Sequence, residues 1–193
     1  IGGSAHAMSS WGSDTIEGII HTIVNFDVDT MPCFSVPAAE HSTVTIYLRD
    51  GELDAITNMI NQFGDKYKII SFVADSYDLL NNVKMVVSLR ELIENKGLKF
   101  VIRPDSGIPE DSVLGIFQCL NNLKILEYKN YYYHLPQWLG ILQGDGICIN
   151  SINKIYQVLL SNAFSPVGVV FGQGGALLQA HTRDDFGWAM KCS

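Results

Sequence analysis

Charged side chains stand at the points where several short apolar runs of this chain stop. Arg103 and Asp105 flank a proline after one such run, Asp75 follows a second, and Asp145 lies between two glycines after a third. An arginine offers a forked hydrogen-bond donor to a phosphate, and a carboxylate can accept ribose hydroxyl groups or bind Mg²⁺. The pattern is compatible with a site for a phosphorylated sugar, and Asp75 and Asp105 could equally cap helices.

A glycine-rich turn near the end of the chain suggests related chemistry. An apolar, strand-like run stops at Phe171, and three glycines follow at 172, 174 and 175. Backbone without a Cβ can approach a ligand closely, and free N–H groups at a helix N-terminus bind phosphate. A plain tight turn is compatible with the same residues. Arg183 and Lys191, which come after the turn, could add phosphate-binding charge or could be solvated surface.

His41 and Asp14 are two further candidates. His41 follows Glu40 at the end of an apolar run, where a histidine among carboxylates can act as an acid or base or accept a phosphoryl group. Asp14 begins the sequence Asp-Thr-Ile-Glu, which fits a capping box at the start of an amphipathic helix. On its residues alone, Asp14 is therefore interpreted as a helix cap.

The apolar runs and the stripes between them predict the elements that position these residues. Short continuous apolar runs predict strands buried in a parallel sheet at 33–38, 69–74, 100–103, 139–143 and 167–171. Helical spacing of apolar residues predicts helices around 16–24, 53–63, 79–87, 113–120 and 152–159. An aromatic-rich stretch at 128–138 reads as an insertion or a hairpin. Repeated βα units with polar strand ends favour an α/β fold of the TIM-like (β/α) barrel type over a doubly wound sheet.

Composition limits the classes of partner. The chain has 193 residues, is 47% hydrophobic and carries a formal net charge of -7. The acidic balance argues against a nucleic-acid partner, and no apolar run reaches the roughly 18 residues of a membrane span, so a soluble protein without a membrane partner is expected. Four scattered cysteines predict core thiols in a reducing compartment, which fits a cytoplasmic protein.

Both ends of the sequence look like cut strands. Residues 2–6 read as the end of a strand whose body is missing, and 188–193 read as a strand just begun. We therefore expect residues 1–193 to form a single partial barrel domain, with the N- and C-terminal parts of the protein absent.

The motifs together resemble one family. The sequence Ser-Val-Pro-Ala-Ala-Glu-His-Ser-Thr at 35–43 resembles a signature of the nicotinamide phosphoribosyltransferases, within the nicotinate/nicotinamide phosphoribosyltransferase family. Further motifs occur in the family's order along the chain, at 12–15, 75–78, 102–107, 143–146, 171–175 and 182–184. The resemblance therefore extends over essentially the whole chain.

The resemblance implies an activity and its partners. Enzymes of this family transfer phosphoribosyl from phosphoribosyl pyrophosphate to nicotinamide, which gives nicotinamide mononucleotide and pyrophosphate for NAD salvage. Mg²⁺ accompanies phosphoribosyl pyrophosphate, ATP is a coupled activator, and the full-length enzyme is expected to be a homodimer. The alternatives are nicotinate phosphoribosyltransferase and an inactive nucleotide-binding relative or fragment.

The resemblance also implies roles for individual residues. Asp14 would accept a hydrogen bond from the carboxamide and repel nicotinate, while His41 would be the phosphorylatable histidine that couples ATP hydrolysis to synthesis. The remaining roles concern phosphoribosyl pyrophosphate. Arg103 would border the base and phosphates, Asp105 would bind the ribose hydroxyls, and Asp75 would contact Mg²⁺-pyrophosphate. The ribose and 5′-phosphate pocket would be lined by Gly144, Asp145, Gly174 and Gly175, and the phosphate would be reached by Arg183 and Lys191. The catalytic residues would be His41, Asp105 and Arg103.

Two departures keep the inactive alternative open. Ala189 stands where the family has a serine that helps to bind the phosphate. The aromatic residues that sandwich the pyridine ring, and a further arginine, come in the family from sequence upstream of the position that matches Ile1.

Overall fold

The computed structural model describes residues 1–174, 181, 184–188 and 190 of the chain. The described residues divide into two compact units. The first unit comprises those within 1–36 and 174–189, and the second those within 37–173 and 190–193.

The first unit contains two α-helices among its described residues. Helix α1 spans Gly2–Ala7 and helix α2 spans Ile16–Phe26, and a short 3₁₀ turn covers Asp184–Phe186. A Cβ built on Gly18 would lie 2.9 Å from the carbonyl carbon of Gly3, so glycine at 18 allows the two helix backbones to approach closely. The strand predicted at 2–6 is wrong, because the backbone N–H groups of Ala5 and Met8 donate to the carbonyls of Ile1 and Ser4, as in a helix.

The second unit alternates helices and strands along the chain. Its elements are α3 His41–Thr45, a 3₁₀ turn Arg49–Gly51, α4 Glu52–Phe63, β1 Ile69–Val73, α5 Leu79–Ser88, α6 Arg90–Asn95, β2 Lys99–Arg103, α7 Pro109–Asn122, β3 Glu127–Lys129, β4 Tyr132–His134, β5 Leu139–Gln143, α8 Ile149–Ser161 and β6 Val169–Phe171. Each of the five predicted helices is confirmed, by α2, α4, α5, α7 and α8. The aromatic stretch forms the antiparallel hairpin of β3 and β4.

Four of the predicted strands form one parallel sheet in the order β1-β2-β5-β6. The register pairs Val73 with Arg103, and Gln143 with Phe171, so the carboxyl ends of the strands meet at one edge. This confirms an α/β fold with a parallel sheet of four strands, built from βα units.

The predicted strand at 33–38 forms only isolated bridges. Phe34 bridges to Gly12 in the first unit, and Ala38 bridges to Ser71 in the second. Two hydrogen bonds, from Ser71 N–H to the Pro37 carbonyl and from Ala39 N–H to the Ser71 carbonyl, hold the segment beside β1. Proline has no N–H to donate to a ladder, so Pro37 prevents a continuous strand here.

The core of the second unit lies between the sheet and its helices. Phe72 and Phe100 are both at most 1% exposed and their ring centroids are 6.2 Å apart, and Ile141 on β5 is fully buried as well. Phe117 of α7 and Ile155 of α8 close the same cluster. Among the described helices, none is long and apolar enough to cross a bilayer.

The cysteines only partly fit the predicted core positions. Cys33 and Cys119 are buried free thiols, whereas Cys148 is exposed. Cys148 is the N-cap of α8 and forms a capping box with Ser151, which explains why this thiol lies at the surface. Cys192 lies outside the described residues.

Leu48 adopts a backbone conformation that only glycine takes easily, with φ 62° and ψ 173°. Its side chain is 71% exposed and therefore gains little from burial. Such a conformation costs a non-glycine residue about 1–3 kcal/mol, while glycine loses about 0.4–1 kcal/mol through the unfolded chain. We expect Leu48→Gly to raise the free energy of unfolding by about 1 kcal/mol in a urea titration.

The matched control is Leu160→Gly, which replaces an exposed leucine (46%) within α8. It should lower the free energy of unfolding by about 1 kcal/mol. A loss of stability in both variants would show that Leu48 is not strained.

Candidate active site

The carboxyl ends of β1, β2 and β5 bring together several predicted site residues in the second unit. Arg103 ends β2, Asp105 follows two residues later, and Gly144 begins the turn after β5. A Cβ on Gly144 would lie 3.2 Å from Oδ1 of Asp105, and one on Gly172 would lie 3.4 Å from Cα of Gly144. The turns after β2, β5 and β6 therefore converge, and glycine lets them approach.

Asp75 connects two parts of this site. Its side chain is only 6% exposed, and its Oδ1 lies 3.0 Å from Nε2 of His41. Its Oδ2 accepts the backbone N–H of Asp105 at 2.9 Å and the hydroxyl of Ser106 at 2.5 Å. Burial opposes ionisation of Asp75, but the hydrogen bonds from Ser106, Asp105 and His41 outweigh it and lower the pKa of this carboxyl below its ordinary value of 3.8.

The imidazole of His41 lies between two carboxylates. His41 is the first residue of α3, and Glu40 is the N-cap, whose side chain accepts the His41 N–H and forms a capping box with Thr43. Glu40 Oε1 also lies 3.3 Å from Nδ1 of His41. The ring is thus fixed by helix capping on one side and by Asp75 on the other, while 27% of the side chain stays exposed.

The guanidinium of Arg103 makes only long contacts to the carboxylates near it. Its Nη2 is 3.7 Å from Glu40 and its Nε is 3.8 Å from Asp105, both too long for hydrogen bonds. Among the described residues, Nε of Arg103 is a buried donor without a hydrogen-bond partner. A guanidinium on a 17% exposed side chain with a buried, unused Nε–H, beside a partly exposed Asp105, is suited to an anionic ligand with hydroxyl groups.

The helices after β1 and β2 are capped by other residues than those the sequence offered. Asp78 caps α5 by accepting the N–H of Asn81, and Ile108 precedes α7, which starts at Pro109. The helix-cap interpretation is therefore wrong for Asp75 and Asp105. Both carboxylates are left for the site.

Asp14 lies in the first unit and is not a helix cap either. The N-cap of α2 is Thr15, which makes no side-chain capping bond. The exposed Asp14 carboxylate instead accepts a hydrogen bond from the hydroxyl of Ser35. The capping-box interpretation of Asp14 is thus wrong, and its carboxylate is held by a side chain 21 residues away.

Two of the remaining predicted residues lie in the described part of the chain. Asp145 is exposed in the turn after β5, and Gly174 is exposed in the first unit. Gly175, Arg183 and Lys191 lie outside the described residues, as does Ala189. Their predicted roles stay predictions.

Three residues that sequence reasoning did not single out take part in these contacts: Ser35, Ser106 and Gln143. Each lies within a quoted motif, but its partner is set by the fold. The hydroxyl of Ser106 bonds to a carboxylate 31 residues away, for example. Within the described part of the chain, no cluster of three or more His, Cys, Asp or Glu side chains could hold a metal ion by itself.

Comparisons with known proteins agree over the full length of the chain. A family model described as the nicotinate phosphoribosyltransferase (NAPRTase) family matches residues 1–193. A nicotinamide phosphoribosyltransferase of Xanthomonas campestris pv. campestris (strain 8004) is 35% identical over 195 residues, which are 100% of this chain and 42% of that protein.

Two further relatives bear the same name. The nicotinamide phosphoribosyltransferase of Mycoplasma pneumoniae is 28% identical over 211 residues, covering 97% of this chain and 42% of the relative. That of Acinetobacter baylyi is 28% identical over 212 residues, covering 99% of this chain and 42% of the relative. The chain therefore spans 42% of the length of each of these curated relatives.

The hydrogen bonds to the Asp75 carboxylate should make its contribution to the free energy of unfolding sensitive to acid. Because its pKa is lowered in the folded state, Asp75 stabilises the fold above pH 3.8, and this contribution is lost as pH falls through the folded-state pKa. We expect Asp75→Asn to be less stable at neutral pH and to lose less further stability below about pH 4.

The measurement is the free energy of unfolding as a function of pH. Asp50→Asn, which neutralises an exposed carboxylate, controls for the loss of one charge. Parallel pH curves for the native protein and Asp75→Asn would contradict the assignment.

Proposed function

This chain belongs to the nicotinate phosphoribosyltransferase family, and we propose that its protein transfers phosphoribosyl from phosphoribosyl pyrophosphate to nicotinamide. The products would be nicotinamide mononucleotide and pyrophosphate, a step of NAD salvage. One observation carries the proposal: the Asp75 carboxylate accepts hydrogen bonds both from His41 and from the turn that bears Asp105. The names of the three relatives support nicotinamide as the acceptor.

The proposed reaction needs positioning and charge stabilisation more than proton transfer. The pyridine nitrogen attacks C1 of the ribose as the bond to pyrophosphate breaks, and positive charge develops on the ribose in the transition state. Asp105, which is 30% exposed, would accept the ribose hydroxyls, and the unused donors of Arg103 would stabilise the departing pyrophosphate. The backbone of Asp105 is held by its hydrogen bond to Asp75, and Arg103 is the last residue of β2, so the fold sets where both residues stand before substrate binds.

The converging glycine turns would receive the phosphorylated ribose. Gly144 lies beside Asp105 and Asp145 follows it in the same turn, whose backbone N–H groups would approach the sugar and its 5′-phosphate. We extend this pocket to Gly174, Gly175, Arg183 and Lys191 on the family resemblance.

Mg²⁺ would enter as part of the substrate, bound to pyrophosphate. Magnesium commonly uses one or two carboxylates together with substrate phosphates, which fits a site without a cluster of metal ligands among the described residues. Asp75 would support this mainly by position, since both of its oxygens already accept hydrogen bonds. Asp105 is the more accessible carboxylate.

We propose ATP as a second substrate, with His41 as the phosphoryl acceptor. The partly exposed imidazole has a carboxylate near each nitrogen, Glu40 at Nδ1 and Asp75 at Nε2. These carboxylates fix the ring and can take up its proton as a phosphoryl group is transferred. The bond from Asp75 to Asp105 would connect this step to the ribose site.

We also propose a barrel architecture and an oligomeric state for the full-length protein. The four parallel strands with their helices would be part of a TIM-like (β/α) barrel, with the site at the carboxyl ends of the strands. The full-length protein would be a homodimer, in keeping with the family resemblance.

Nicotinate is the competing acceptor, because the matching family model carries its name. Asp14 argues for nicotinamide, since an exposed carboxylate facing the pyridine substituent would accept from an amide NH₂ and repel a second carboxylate.

Asp14→Asn in the full-length protein tests this choice. Asparagine keeps an oxygen for Ser35 but loses the charge, and a charge-assisted hydrogen bond is worth about 1.5–3 kcal/mol. We expect kcat/KM for nicotinamide to fall by about one to two decades and nicotinate to be accepted better.

The measurement is the ratio of kcat/KM for the two bases, read from product formation, together with thermal unfolding. Asp29→Asn, at an exposed position of the same unit, is the matched control and should leave the ratio as it is. If Asp14→Asn also leaves the ratio unchanged, Asp14 does not face the base. If the native protein forms neither mononucleotide, the proposed function fails.

A further inference from the structure

Gln143 holds two turns of the site at once. It is the last residue of β5 and is completely buried. Its backbone carbonyl accepts the N–H of Gly172 at 2.9 Å, and its side-chain Nε2 donates to the carbonyl of Asp145 at 3.0 Å. One residue therefore fixes the start of the turn after β6 and the middle of the turn after β5.

The turn after β5 has little freedom to shift without disturbing the site. A Cβ on Gly144 would be 3.2 Å from Asp105 Oδ1, so the backbone at 144 sets the space beside that carboxylate. A Cβ on Gly172 would be 3.4 Å from Cα of Gly144, so the turn after β6 also limits movement of the backbone at 144. In group-transfer enzymes a misplacement of about 1 Å can cost about a hundredfold in rate. The position of the Asp145 peptide is therefore a property on which activity would depend.

Among the described residues, only the Nε2 end of the Gln143 side-chain amide makes a hydrogen bond. Within the described part of the chain its Oε1 is buried and has no hydrogen-bond partner. An unpaired buried acceptor costs stability, so a residue kept for stability alone would gain from an apolar side chain of the same shape. What an apolar side chain cannot supply is the N–H that reaches the Asp145 carbonyl.

We propose that Gln143 is a positioning residue for phosphoribosyl pyrophosphate, acting through the peptide of Asp145. The inference rests on the proposed function and adds a residue to it. Gln143 is buried and does not touch the substrate; its amide N–H fixes the turn at 144–146, which receives the phosphorylated ribose. Binding of the nicotinamide base does not depend on this hydrogen bond.

Gln143→Met in the full-length protein separates positioning from stability. Methionine has a similar length but no donor, and it removes the unpaired oxygen together with the N–H, so the unfolding midpoint should stay within about 2 °C of the native value. The dissociation constant of Mg²⁺-phosphoribosyl pyrophosphate, measured by calorimetry, should rise about tenfold, and KM for the same substrate should rise with it. KM for nicotinamide should not change.

Gln143→Glu supplies a pH readout that a purely structural role would not produce. An ionised glutamate cannot donate to the Asp145 carbonyl, whereas a protonated one can, and burial raises the pKa of such a carboxyl. The affinity of this variant for phosphoribosyl pyrophosphate, relative to the native protein at the same pH, should recover as pH falls from about 8 to about 6.

Ile141→Val is the matched control, since it removes one buried methyl group from the same strand. It should lower the unfolding midpoint without changing the ratio of the two substrate KM values. The inference is overturned if Gln143→Met binds phosphoribosyl pyrophosphate like the native protein, or if both substrates weaken in proportion to lost stability. If the native protein itself does not bind phosphoribosyl pyrophosphate, the proposed function fails, and the inference with it.

Discussion

The carboxylate of Asp75 is the constraint on which the described site depends. It is nearly buried and serves three donors: the imidazole of His41, the backbone of Asp105 and the hydroxyl of Ser106. A buried carboxylate is tolerated only when such donors compensate for its lost hydration. The donors come from α3 and from the turn after β2, so the same balance that keeps Asp75 ionised also fixes these two segments relative to each other.

The parallel sheet makes this arrangement possible. Because β1 and β2 are paired in register up to Val73 and Arg103, the residues that follow them emerge side by side. Capping of the next helices is left to Asp78 and to the start at Pro109, which keeps the carboxylates of Asp75 and Asp105 for polar contacts within the site. Glycine at 144 then lets the turn after β5 approach Asp105 more closely than a side chain at this position would allow.

Local patterns predicted the elements better than they predicted the partners of single side chains. Apolar runs and stripes identified four strands and five helices because burial imposes those spacings. The segment 33–38 has a strand-like composition, but Pro37 lacks the N–H that pairing requires. Asp14 resembled a cap because its neighbours fit a local motif, whereas its actual partner, Ser35, is distant in sequence. The unpaired end of the Gln143 amide could not be read from sequence at all, since it depends on what packs around it.

One carboxylate with three donors also means that substitutions around it will not combine independently. Removing the hydroxyl of Ser106 leaves Asp75 with fewer hydrogen-bond donors. The hydrogen bond from His41 then has to compensate for more of the carboxylate's negative charge. The cost of changing His41 should therefore differ according to what stands at 106, with a coupling energy of the size seen for residues in one hydrogen-bond network, about 0.5–3 kcal/mol. Sequence drift at these positions is thus expected to be correlated, with changes tolerated in pairs that are not tolerated singly.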